Sequence, residues 1–257
     1  KLPMISPKDI LLKNIMASNI DNMVHSSFYY PKKGGSQFIA NRLSEGINVK
    51  RMDVTNIKSY DGYLSINKKS ERYNSIIYTG DCRKLMHILD QEIINQLNIG
   101  ELLKEIKNLD SNGTSTLLCE CDKNEYSWVY LADEEIKPHR IIMTGNFSKN
   151  NNNVDIENGR TTCTIEFSGH LSYEEILTEL KKIPFNPKPI AYNYCESSYI
   201  IQNQDTRRLI KELGSSLEEK RIYLCGRFAE WEYYNMDAAI ESAMRVCDKI
   251  STIHPLY

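Results

Sequence analysis

Gly226, Arg227 and the Asn235-Met236-Asp237 run stand in one stretch, GRFAEWEYYNMDAAIESAMRV (residues 226–246), whose residue types suit an anion or an electron-rich ring edge. The preceding RIYLC (221–225) is apolar and β-branched enough for a buried strand, and Gly226 ends it. Ala238, Ala239, Ile240, Ala243, Met244 and Val246 then recur at helical spacing, with Asn235 and Asp237 available as cap or first-turn residues. A helix start offers unpaired backbone N–H groups and partial positive charge. Small residues at 238, 239 and 243 let a flat ligand or another backbone come close. An ordinary strand–turn–helix unit with alanines in its core has the same pattern, so this stretch alone leaves both readings open.

Two further stretches carry candidate chemistry. FYYPKKGGSQFIANRLSEG (28–46) sets Gly34 and Gly35 before a helix that ends near Gly46. A glycine pair there can admit a phosphate, but the stretch lacks the Lys-Ser/Thr of a P-loop and the GxGxxG dinucleotide spacing. HRIIMTGNFSKN (139–150) places His139 beside Arg140, with Asn146 following. Arginine binds a diphosphate bidentately; a strand-end arginine in a surface ion pair is the alternative. His25, His87, His170 and His254 have no acidic or thiol neighbours at ligand spacing. Seven cysteines form no CxxC pair, and Cys119-Glu120-Cys121 reads as strand alternation, so reduced thiols and no metal are expected.

The elements that must position these residues follow from patterning. Residues 8–24 carry a helical pattern, and 48–80 hold short alternating runs with a hairpin turn at Asp61-Gly62, ending in SIIYTG as a buried strand. Helices are expected around 83–96 and 101–107. STLLCEC, YSWVYLA, HRIIMTG and TTCTIEF form an antiparallel sheet region, interrupted by the asparagine cluster at 150–153. LSYEEILTELKKI (171–183) is an amphipathic helix with its charges placed as the helix dipole prefers. The Asn-x-Ser/Thr matches at 112–114 and 146–148 are read as incidental.

At 257 residues and 41% hydrophobic content the chain can bury one large or two smaller cores. A formal net charge of −2, with both signs dispersed, disfavours nucleic acid or an anionic membrane as partner. No apolar run approaches the roughly 20 residues of a membrane span and no leader pattern opens the sequence, which reads as cytoplasmic.

Taken in order, FYYPKKGGSQFIANRL, HRIIMTGNFSKN and GRFAEWEYYNMDAAIESAMRV resemble the flavoprotein superfamily of UDP-galactopyranose mutases, protoporphyrinogen oxidases and amine oxidases. The likeness spans about 28–247. It implies an α+β fold derived from α/β: an incomplete FAD-binding Rossmann-like domain (1–80 and the return segment 191–257) and a substrate lobe of antiparallel sheet and helices (81–190). FAD is the implied cofactor, held by Gly34, Gly35, Gly226, Arg227, Asn235, Met236 and Asp237. Arg140 and Arg227 are the implied catalytic residues, and Arg140 with Asn146 the substrate ligands. No segment matches the family's GxGxxG opening. The chain is therefore expected to be the C-terminal portion of a longer flavoprotein, inactive alone and partnered by the missing N-terminal part.

The resemblance implies isomerisation of a nucleotide-sugar in surface-polysaccharide synthesis, without net redox change. An FAD-dependent oxidoreductase of the amine-oxidase or protoporphyrinogen-oxidase kind is the alternative, and a non-catalytic fragment without cofactor is a third.

Overall fold

The computed structural model describes residues 28–68, 70–152 and 159–253; the helical pattern over 8–24 lies outside the described residues. In chain order the strands are β1 (Ile57–Tyr60), β2 (Tyr63–Ile66), β3 (Ile76–Tyr78), β4 (Ser111–Asp122), β5 (Trp128–Tyr130), β6 (Pro138–Ile142), β7 (Arg160–Ser168), β8 (Lys188–Ile200) and β9 (Ile222–Leu224). The helices are α1 (Gln37–Leu43), α2 (Leu85–Ile88), α3 (Gln91–Leu97), α4 (Gly100–Lys107), α5 (Thr144–Phe147), α6 (Tyr173–Leu180), α7 (Thr206–Glu218) and α8 (Met236–Ile253). This is an α+β fold.

Two compact units share the chain: one joins residues up to Val49 with Ser115–Tyr194, the other joins Lys50–Thr114 with Cys195–Tyr257. The seams at 49/50, 114/115 and 194/195 differ from the expected 80/81 and 190/191. Packing explains the shift at 81–114, because Leu85, Ile93, Leu103 and Ile106 enter the same core as Leu64, Leu213, Ile222 and Trp231. That run belongs with the β3–β9 frame rather than with the large sheet.

In the unit holding β9, β1 and β2 form the expected hairpin about Asp61-Gly62, with Gly62 at φ +81°. β3 and β9 pair in parallel, Ile76 opposite Ile222 and Tyr78 opposite Leu224. Residues 82–97 fold as a 3₁₀ turn (Cys82–Lys84) followed by α2 and α3, not as one helix. The break falls at Leu89, whose extended backbone leads into Asp90; the Asp90 carboxylate accepts the Glu92 N–H at 3.2 Å and starts α3 afresh. α7, which no sequence pattern above assigns, buries Leu209, Ile210, Leu213 and Leu217 along one side.

The other unit is organised on a five-stranded sheet ordered β5-β6-β7-β4-β8. β4 and β7 run antiparallel, with Cys119 opposite Cys163 and Leu117 opposite Ile165. Alternation sends Leu117, Cys119, Cys121, Cys163, Ile165 and Phe167 into one core with Ile176 and Leu180 of α6. Each large apolar side chain there contributes about 1.5–3 kcal/mol by leaving water. Ser172 and Glu175 make a capping box that starts α6, with bonds of 3.3 and 2.9 Å. Thr116, Glu120, Glu166 and Arg160 alternate onto the opposite, half-exposed face. Among the described residues no helix is long and apolar enough to cross a membrane, and no group of three or more His, Cys, Asp or Glu is placed to hold a metal ion.

Candidate functional site

The strand–loop–helix at 222–253 is the first place where chemistry-bearing residues converge. Because β3 and β9 are parallel and in register at Tyr78 and Leu224, the chains leave them at one end, and each reaches a glycine two residues later: Gly80 and Gly226. Gly226 adopts φ +85°, and a Cβ there would meet nothing within 4 Å. Glycine is required by conformation at this turn, and space is left beside it. At Gly80 an added Cβ would lie 2.8 Å from the Tyr78 hydroxyl oxygen, so the Tyr78 ring closes over that glycine. The same hydroxyl donates to the Asp81 carbonyl at 2.8 Å, and burial, with the Asp81 charge, pushes its pKa up to about 12.

A half-buried polar cluster fixes the loop to α8. The Gly226 N–H donates to Glu230 Oε2 at 2.8 Å and Ser242 Oγ at 3.1 Å, and the Ser242 hydroxyl donates to the same carboxylate. Arg245 lies 3.7 Å from Glu230 Oε1 and donates to the Tyr234 hydroxyl at 3.3 Å. Arg227 braces the loop: Nε donates to the Tyr234 carbonyl at 2.7 Å and Nη1 to the Ser198 carbonyl at 3.1 Å. Its guanidinium also lies 4.9 Å from the Tyr233 ring centroid, and that ring stacks on Tyr199. Asn235, Met236 and Asp237 are exposed at the start of α8, where the Asn235 carbonyl accepts the Ala239 N–H at 2.9 Å. The helix hides little of the apolar pattern read from sequence: Ile240 and Met244 are exposed, and Ser242 is buried.

The remaining expected site residues belong to the other unit. Arg140 lies inside β6, opposite Glu166 of β7, and its Nε donates to Glu166 Oε2. The pairing slips between Pro138 and Arg140, so the extra residue, His139, also faces Glu166, with Nε2 3.5 Å from the same oxygen. Burial alone would raise the Glu166 pKa, but hydrogen bonds and charge from His139 and Arg140 outweigh it and hold the carboxyl below its usual range. Asn146 is spent on architecture: its Nδ2 donates to the carbonyls of Asn124 (2.9 Å) and Tyr126 (2.8 Å).

Gly34 and Gly35, at φ +80° and +57°, form the turn into α1, where both carbonyls accept the Phe38 N–H. Side chains from 148–151 tie the preceding residues down: Ser148 and Asn150 donate to the Lys32 carbonyl at 2.6 and 2.8 Å, and Asn151 to the Tyr30 hydroxyl at 3.3 Å. Gly34 and Gly35 thus share a unit with Arg140 and Asn146, whereas Gly226, Arg227, Asn235, Met236 and Asp237 share the other. Sequence reading passed over Gly80, Glu230, Ser242 and Glu166. Only Gly80 had a visible signal, as the glycine closing the SIIYTG strand.

No protein-family profile and no curated protein sequence matches this chain. Its fold is similar to that of a reduced UDP-galactopyranose mutase, with a TM-score of 0.71 at 15% identity over 88% of this chain and 54% of that one. It is also similar to a protein assigned as a protoporphyrinogen oxidase from Exiguobacterium sp. 255-15, with a TM-score of 0.59 at 12% identity over 86% of this chain and 51% of that one. The chain therefore has the fold found in these two structures and spans about half the length of each.

Proposed function

We propose that this chain supplies the flavin-edge and substrate-facing parts of a flavin-dependent enzyme acting on a nucleotide-sugar, a mutase-like isomerase of surface-polysaccharide synthesis. One observation carries the reading: two parallel strands run into glycines at the same end, and one of them continues through a braced loop into the exposed first turn of α8. Ligands of parallel sheets sit beyond the carboxyl ends of the strands. The residues present suit one edge of a flavin, with first-turn N–H groups to meet negative charge and open space beside Gly226.

FAD, when bound, supplies the electron-rich ring. The chain's own contribution is positional: Arg227, through Tyr234 and Ser198, keeps the loop in the shape that presents the first turn of α8. No GxGxxG occurs among the 257 residues, so the pyrophosphate cradle is assigned to a dinucleotide-binding segment outside them. Arg140, on the polar face of the five-stranded sheet, is the proposed diphosphate ligand, and Asn146 shapes the adjoining loop. An oxidoreductase of the amine-oxidase kind would use the same flavin edge but has no need of a diphosphate ligand. Anaerobic reduction of added flavin by an amine would favour that second reading.

Spectral titration with FAD tests the proposal. Added FAD should show a saturable absorbance change yet be lost on gel filtration, and Gly226→Val should abolish the change, because a β-branched residue strains a backbone at φ +85°. No change at any FAD concentration contradicts the flavin edge. Stoichiometric FAD surviving gel filtration contradicts the assignment of the cradle elsewhere.

A further inference from the structure

The slip in the β6–β7 pairing brings three ionisable groups together. Without it His139 would alternate away from Arg140; with it, both side chains address one carboxylate oxygen, Glu166 Oε2. Glu166 is only 13% exposed and Arg140 24%, so the ion pair is shielded from solvent enough to fix the guanidinium. His139 Nδ1 is buried without a hydrogen-bond partner among the described residues, leaving Glu166 as the imidazole's polar contact.

We propose that Glu166 is the positioning residue of the Arg140 anion site and that the bulge seats His139 against the same carboxylate, so that the carboxylate is held where it orients the guanidinium for a diphosphate ester. This rests on the reading of Arg140 as a diphosphate ligand. A carboxylate oxygen can accept from both donors, so the imidazole and the guanidinium share Glu166 Oε2 without either displacing the other. Against burial, hydrogen bonds and charge from His139 and Arg140 hold the Glu166 carboxyl below its usual range, so the shared acceptor stays ionised. Tyr130 of β5 sits opposite Arg140, Lys137 of the preceding chain pairs with Glu175 of α6, and Glu179 of α6 is held by Lys182 and the Lys137 N–H.

Two measurements on the 257-residue protein test this. In the first, isothermal titration with UDP-galactose compares wild type with variants of Glu166 and His139 at one neutral pH. His139→Ala, which removes one of the two contacts on Glu166 Oε2, should weaken binding about threefold. Glu166→Ala should weaken binding about tenfold, and Glu166→Gln, which keeps an acceptor, should recover part of the loss. Equal or tighter binding by Glu166→Ala overturns the positioning role, and binding by His139→Ala as strong as wild type overturns the part given to the imidazole.

The second measurement needs no ligand: NMR exchange of the Arg140 Nε–H, which should be protected in wild type and lose protection in Glu166→Ala even if that variant is slightly less stable. Protection unchanged overturns the inference. If protection behaves as expected but wild type binds no UDP-galactose, the nucleotide-sugar reading falls and the inference falls with it, the positioning contact remaining as structure alone.

Discussion

Arg227 illustrates how a residue chosen for chemistry can serve geometry first. Its side chain joins the Tyr234 carbonyl, the Ser198 carbonyl and the Tyr233 ring, drawing the aromatic loop together behind the first turn of α8. Arg227→Ala leaves two carbonyls without their charged donor and should lower stability to urea by about 1.5–3 kcal/mol. Arg227→Lys should restore only part, since an ammonium cannot span both carbonyls in a planar fork. Loss of the FAD absorbance change in Arg227→Ala with full recovery in Arg227→Lys would instead show that charge alone matters. Sequence made the neighbourhood of Arg227 legible through Gly226 and the aromatics. Its partners were not legible, because Ser198 is 29 residues away along the chain.

At the scale of elements, periodicity identified most strands and helices, and it failed where burial did not alternate. β8 is largely exposed, so its residues carry no apolar alternation to read. The bulge at His139 was equally invisible, since a slip in register lies between two strands and leaves no mark in either. Its consequence is measurable as acid sensitivity. The Glu166 pKa is lowered in the folded protein, so its pairing adds stability above the unfolded carboxyl value and that stability is lost as pH falls through the folded value. Urea midpoints followed downward from neutral pH should therefore drop through the acidic range below the ordinary carboxyl pKa. Glu166→Gln should be less stable near neutrality and show a shallower drop. A drop of equal size in both proteins would show that Glu166 gains nothing from His139 and Arg140.

Across the whole molecule, the fold class and the segments that make the β3–β9 frame were readable, because Ile76–Tyr78 and Ile222–Leu224 are short apolar runs each closed by a glycine. Unit membership was not, since it depends on which core receives Leu85, Leu103 and Ile106. The candidate site was legible as a set of residue types, but not as the division that puts Arg140 in one unit and Arg227 in the other. The central claim is that this fold presents a nucleotide-sugar's diphosphate to Arg140. Calorimetric titration of the protein and its Arg140→Ala variant with UDP-galactose tests it most directly. The account predicts saturable binding that weakens in the variant by about 1.5–3 kcal/mol, the scale of a charge-assisted hydrogen bond. Binding of equal strength by the Arg140→Ala variant would contradict it.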